Sequence, residues 1–162
     1  MTKTKGLLVM DVDSTLILEE AIDILGDKAS VGAKVAQITE RAMRGELDFE
    51  AALRERVGLL KGLPESIFEE VLAEIHFTPG AAQLVDELHR RGIKVGLVSG
   101  GFHETVDVLA QDLGIDYVQA NRLEVKDGYL TGRVLGQIVT KAVKLQKLQD
   151  WAAENDLGLE QT

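Results

Sequence analysis

The ten residues Gly6-Leu7-Leu8-Val9-Met10-Asp11-Val12-Asp13-Ser14-Thr15 constrain this chain more than any other stretch. Gly6 to Met10 carry no charge and are rich in strand formers, the pattern of a short strand buried in a parallel sheet. Two carboxylates one residue apart follow, then two hydroxyls. In an open α/β sheet, ligands bind outside the carboxyl ends of the strands, which is where Asp11 and Asp13 fall. Alternation points both side chains the same way. Like charges at that spacing repel unless a cation or a shared proton relieves them. Taken alone, the stretch is explained equally well by Asp13 or Ser14 capping a following helix.

The pattern behind Thr15 is helical for about sixty residues. Glu19 to Leu25 reads as a short helix ended by Gly26. Ser30 reads as the cap of a second helix with Val31, Val35, Ile38 and Ala42 on one stripe, broken at Gly45. Asp48 caps a third that carries Phe49, Leu53, Val57 and Leu60. Leu63-Pro64 starts a fourth, with Ile67, Phe68, Val71, Leu72 and Ile75 on its buried face. Then the pattern alternates. A helix with Ala81, Leu84, Val85 and Leu88 precedes a second strand, Ile93-Lys94-Val95-Gly96-Leu97-Val98. Ser99-Gly100-Gly101 reads as a turn, residues 102–113 as a helix and residues 115–120 as a third strand. A β-hairpin turns at Asp127-Gly128. Residues 138–154 form a last helix with Leu145, Leu148 and Ala152 on one side. The expected fold class is α/β: a parallel, Rossmann-like core sheet with a helical cap inserted after strand one and a β-hairpin. The expected division is 1–16 and 76–162 for the core and 17–75 for the cap.

Bulk properties narrow the partners. A chain of 162 residues supports one domain with a small insertion. It has no cysteine, which excludes disulfides and thiolate chemistry. The net charge of -9 argues against nonspecific nucleic-acid binding, and 4% aromatic residues leave no base-stacking platforms. No secretory leader or membrane-length apolar run is present, so the expected setting is cytoplasmic, with no membrane partner. A phosphate ester would meet a repulsive average field. Its binding needs a local device: a metal ion, a buried cation or backbone N–H groups.

Ser99-Gly100-Gly101 is a candidate for such a device, because a hydroxyl and two glycines at a strand-to-helix turn let amides approach an anion. An ordinary turn with Ser99 as a cap is the simpler reading of that stretch alone. Lys141, Lys144 and Lys147 read as solvated helix lysines, and spacing does not choose among them. His76, His89 and His103 have no metal-ligand spacing, and His89 and His103 read as surface residues.

Asp11-Val12-Asp13-Ser14-Thr15, Ser99-Gly100-Gly101 and a late helical lysine, in that order, resemble the haloacid dehalogenase superfamily of phosphotransferases. Asp-Val-Asp-Ser-Thr-Leu, Val-Ser-Gly-Gly-Phe, Ala-Asn-Arg-Leu and the segment from Phe49 to Leu60 are similar to its phosphoserine phosphatase family in particular. The resemblance spans essentially the whole chain. It implies Mg²⁺-dependent hydrolysis of O-phospho-L-serine through a phosphoaspartate, the last step of serine biosynthesis. It implies Asp11 as nucleophile and Asp13 as general acid and base. A carboxylate oxygen of Asp11 and the backbone carbonyl of Asp13 are implied as Mg²⁺ ligands. Ser99, Gly100 and Lys144 would hold the phosphoryl oxygens. Glu20 would meet the substrate ammonium and Arg56 its carboxylate, with Met43 and Phe49 closing over them.

In that family a further core strand and a Gly-Asp-Gly-(any)-Asn-Asp motif follow the position of Thr162. The expectation is therefore a truncated chain, its sheet incomplete at the C-terminal end, with impaired metal binding and little turnover. Strand one would be bare along one edge, open to self-association. The competing readings are a phosphatase of another small phosphomonoester, an inactive phosphate-binding fragment, and a receiver-type signalling module. The last places its acidic pair at adjacent positions and has no helical insert there.

Overall fold

The computed structural model describes residues 3–162. Its elements run β1 (Gly6–Met10), α1 (Ala21–Lys28), α2 (Gly32–Met43), α3 (Phe49–Gly58), α4 (Ile67–Ala73), α5 (Ala81–Arg90), β2 (Ile93–Phe102), α6 (His103–Leu113), β3 (Tyr117–Lys126), β4 (Tyr129–Leu135) and α7 (Lys141–Glu154). A short 3₁₀ turn, Leu159–Gln161, follows. The four strands form one sheet in the order β1-β2-β3-β4. β1, β2 and β3 are parallel, and β4 returns antiparallel to β3. This is the α/β architecture expected, with four helices between β1 and α5.

Both faces of the sheet are covered, as parallel strands require. On one, Val12, Leu16, Ile17 and Leu97 pack against Val106, Leu109 and Ala110 of α6 and Ala81 of α5. On the other, Leu7 and Val98 pack under Trp151 and Ala152 of α7. The Trp151 ring lies stacked on Tyr117, centroids 5.1 Å apart. A third apolar cluster joins α1, α3 and α4 to Phe102, Leu123, Leu130, Val134 and Ile138, so the hairpin packs with the inserted helices as well as with the sheet. β1 pairs with β2 only, and its other edge has no strand beside it among the described residues.

Several local expectations are corrected. Gly26 does not end α1. It lies inside the helix, buried, where an added Cβ would stand 2.9 Å from Val35, so its use is close packing of α1 on α2. Ser30 does not cap α2: it has φ +58, and Val31 holds the cap position without a side-chain bond. Leu63-Pro64 opens no helix, because Pro64 bridges to Tyr129 and α4 starts at Ile67. Ser99-Gly100-Gly101 is not a free turn but a continuation of β2, with a register irregularity between Val98 and Phe102. The third strand and the first strand of the hairpin are one strand, β3. α7 begins at Lys141, capped by the Thr140 hydroxyl. Its buried face carries Val143 and Trp151, while Leu145 is exposed, as is Leu84 on α5. His103 is not a surface residue. Its ring is largely covered, with Nε2 accepting from the Ala120 amide at 3.2 Å.

Other sequence signals hold. Asp48 caps α3 by accepting from the Ala51 amide at 2.7 Å. Asp127 and Gly128 both have positive φ, the two-residue hairpin geometry that an Asp-Gly pair favours.

Candidate active site

Val12 builds the site. It is buried, and its carbonyl accepts the amides of Thr15, Leu16 and Ile17. The chain is thereby wound tightly just past β1, with Ser14 in the left-handed region at φ 55. With Val12 turned into the core, Asp11 and Asp13 face the opposite way. Both line a cavity of about 380 Å³ together with Glu20, Ile22, Phe49, Leu53, Arg56, Gly100, Gly101, Phe102, Val139, Lys141 and Lys144.

The two carboxylates have different surroundings. Asp11 Oδ1 accepts from the Val12 amide at 2.8 Å, and Oδ2 lies 3.1 Å from Lys144 Nζ. Asp13 has no cation among the groups that act on it. Burial pushes its carboxyl up from 3.8 to about 6, with smaller upward pressure from Glu20 and Asp11. Hydrogen bonds oppose the rise. Asp13 Oδ1 accepts from the Ala21 amide, at the N-terminus of α1, at 2.9 Å, and Oδ2 accepts from Ser99 Oγ at 3.4 Å. Ser99 is itself buried, and its Oγ accepts from the Gly101 amide at 2.9 Å. That bond leaves the hydroxyl proton free to be donated to Asp13.

The inserted helices form the roof. The Phe49 ring covers Gly100 so closely that an added Cβ there would stand 3.0 Å from it. Arg56 is half-buried. Its Nε donates to the Ala52 carbonyl at 3.3 Å and one terminal nitrogen to Thr39 Oγ1 at 3.2 Å. Thr39 gives its own proton to the Val35 carbonyl, so its oxygen is free to accept. Glu20 Oε1 accepts from Ser14 Oγ at 2.7 Å. Two crossing segments join roof and sheet. Ile17 bridges antiparallel to Phe77, the Leu18 amide donates to the His76 carbonyl, and the Thr78 amide donates to the Leu16 carbonyl.

The structure thus brings together Asp11, Asp13, Glu20, Phe49, Arg56, Gly100 and Lys144 around one cavity, with Ser99 bonded behind it. Met43 departs from the expectation. It is the last residue of α2, 83% exposed, and it lines a neighbouring hollow with Asp23, Asp27 and Thr39 instead. Ile22, Leu53, Phe102, Val139 and Lys141 also line the cavity, and none had been given a place in the site. For Lys141 a signal existed, since it stands three residues before Lys144 and shares its helical face.

Oxygen is the only donor type the acidic groups here offer, which suits a hard divalent cation. No group of three or more His, Cys, Asp or Glu side chains is arranged to hold a metal ion by itself among the described residues. A site with one or two carboxylates fits Mg²⁺, which keeps several waters and takes its other ligands from substrate phosphate.

The sheet, the strand-end acidic pair and the facing lysine define a phosphoryl-transfer hydrolase of the α/β class. The chain belongs to the haloacid dehalogenase-like hydrolase family, whose model matches residues 8–162. It is 72% identical over 162 residues to the phosphoserine phosphatase of Streptococcus thermophilus, covering 100% of this chain and 75% of that protein. It is 61% identical to the phosphoserine phosphatase of Lactococcus lactis, covering 96% of this chain and 72% of that one. Among solved structures, a phospho-aspartyl intermediate analogue of phosphoserine phosphatase superposes with a TM-score of 0.92 at 44% identity, covering 99% of this chain and 77% of that one. A substrate-bound phosphoserine phosphatase complex gives 0.92 at 43% identity with the same coverage.

Proposed function

We propose that this chain hydrolyses O-phospho-L-serine to serine and phosphate, with Mg²⁺, through a phosphoaspartate on Asp11. The observation that carries this reading is the unequal pair of carboxylates in one cavity. Asp11 is paired with a lysine, and Asp13 titrates near 6 with a hydroxyl aimed at it. In the first step Asp11 attacks phosphorus, and Asp13 gives its proton to the departing serine oxygen. In the second, Asp13 takes a proton from water as that water attacks the acyl phosphate. An acid that titrates near neutrality serves both steps. Lys144, Ser99 and the Gly100 amide would hold the phosphoryl oxygens.

Charge supports the substrate and the metal together. Three acids, Asp11, Asp13 and Glu20, and three bases, Arg56, Lys141 and Lys144, line the cavity. Phosphoserine brings a phosphate dianion, a carboxylate and an ammonium, so it enters with a net double negative charge that one divalent cation cancels. Mg²⁺, held by an Asp11 carboxylate oxygen and the Asp13 backbone carbonyl, would neutralise charge developing on the phosphoryl group. Glu20 suits the ammonium and Arg56 the carboxylate, its guanidinium pre-set by Ala52 and Thr39.

The reading divides the chain into a core of residues 1–16 and 76–162 and a cap of residues 17–75, in a cytoplasmic setting. The edge of β1 that has no strand beside it among the described residues, with exposed Leu145 in the hollow next to it, favours self-association, and a stable soluble monomer by solution mass counts against that part. Phosphate release from O-phospho-L-serine with Mg²⁺, compared between the chain and its Asp11→Asn variant, tests the mechanism. Turnover that falls at least ~10³-fold in the variant is expected. Equal turnover in both removes Asp11 from its role, and turnover of other phosphomonoesters in preference removes the substrate.

A further inference from the structure

Asn121 is a polar side chain buried to 1% exposure, next to buried Ala120 and exposed Arg122 on β3. It lies on β3 opposite Phe102, where the register of β2 against β3 is irregular. Its Nδ2 donates to the Gly100 carbonyl at 2.9 Å, and its Oδ1 accepts from the Val139 amide at 2.8 Å. Only one orientation of the amide satisfies both partners, since one is an acceptor and the other a donor.

Each partner belongs to a different arm of the cavity. The Gly100 carbonyl shares a peptide plane with the Gly101 amide, which donates to Ser99 Oγ. Fixing that carbonyl therefore fixes the plane that orients Ser99. Val139 stands immediately before Thr140, the cap of α7, and the first turn of α7 carries Lys141 and Lys144. One buried amide thus spans the glycine-rich end of β2 and the lysine-bearing start of α7, elements that no strand pairing joins. An apolar residue of the same shape would leave a buried carbonyl and a buried amide unpaired, and an ionised aspartate would offer no donor to Gly100.

We propose that Asn121 is a positioning residue for phosphoryl transfer, setting the spacing between the Ser99–Gly101 arm and the α7 lysine arm. It touches no reacting atom. The inference rests on the phosphatase reading above and extends it to a residue outside the cavity.

The test uses the full chain with Mg²⁺ and compares wild type with Asn121→Asp and Asn121→Ser. Asp keeps an acceptor for Val139 but sets a carboxylate oxygen against the Gly100 carbonyl. Ser, neutral and smaller, keeps the test open if the Asp variant does not fold. The readouts are kcat and KM for O-phospho-L-serine, the calorimetric Kd for inorganic phosphate, and Tm. The expected result is a Kd for phosphate about tenfold weaker, equivalent to ~1.4 kcal/mol, and a kcat at least tenfold lower. KM should change less than about threefold, because Glu20 and Arg56 still hold the amino-acid end. Folded variants with kcat and phosphate Kd within twofold of wild type overturn the proposal. So does a rise in KM with kcat unchanged. A wild-type chain that neither binds phosphate nor releases it overturns the phosphatase reading, and this inference with it.

Discussion

Replacing Asp13 by Asn should stabilise the chain at neutral pH. Asp13 is pushed from 3.8 to about 6, chiefly by burial, so its ionised form is disfavoured in the native state. The sign follows from linkage. Between about pH 4 and 6 the native chain binds this proton and the unfolded chain does not, so stability falls as pH rises through that window. Above 6 the penalty is complete. At ~1.36 kcal/mol for each pH unit of displacement it amounts to about 3 kcal/mol. Asparagine removes it but not freely. Its oxygen still accepts from the Ala21 amide, now without charge assistance, and its NH₂ faces the Ser99 hydroxyl that had been a donor. Those changes cost about 1–1.5 kcal/mol. The net gain is about 1.5–2 kcal/mol, or ~3–8 °C in Tm for a chain of this size. The assay is thermal and urea unfolding of wild type and Asp13→Asn from pH 4 to 8, in chelator so that no divalent cation offsets the charge. The gain should vanish near pH 4. A variant less stable at pH 7.5, or a difference of the same size at both ends of the range, refutes the reasoning.

Two further outcomes follow from the geometry. In Gly101→Ala the new Cβ would stand 2.7 Å from Asp13 Oδ2 and 3.0 Å from Ser99 Oγ, so kcat should fall about 10²-fold with little change in KM, as misplacement by an ångström implies. In Arg56→Lys the planar fork anchored on Ala52 and Thr39 is lost; KM for phosphoserine should rise about tenfold or more while phosphate esters without an amino-acid end are hydrolysed as before.

The sequence shows the fold class through punctuation as much as through hydrophobicity. Asp48 and Asp127-Gly128 mark a helix start and a hairpin because their chemistry is local: a cap bond, and two residues with positive φ. Gly26 and Pro64 mislead because their roles are tertiary. One is a glycine needed for helix packing inside α1, the other a proline engaged by Tyr129 of β4. The site divides the same way. Asp11, Asp13 and the Ser99–Gly101 stretch stand at strand ends, where topology alone gathers them. Phe49 and Arg56 lie on an inserted helix and Glu20 just before another, and neither spacing nor amphipathicity says which way that roof faces. Resemblance supplied them, and it also supplied Met43, which here faces solvent at the end of α2.

What neither spacing nor resemblance reveals is why two aspartates one residue apart would suit the opposite parts proposed for them. The difference lies in their surroundings. Asp13 accepts from the first amide of α1, the helix that begins the insert, and is buried enough that its carboxyl is pushed up despite that bond. Asp11, on the sheet side of Val12, meets Lys144 instead. On the proposed mechanism that burial serves Asp13 as the acid: the less water reaches its carboxyl, the more firmly it holds the proton it would give to the departing serine oxygen.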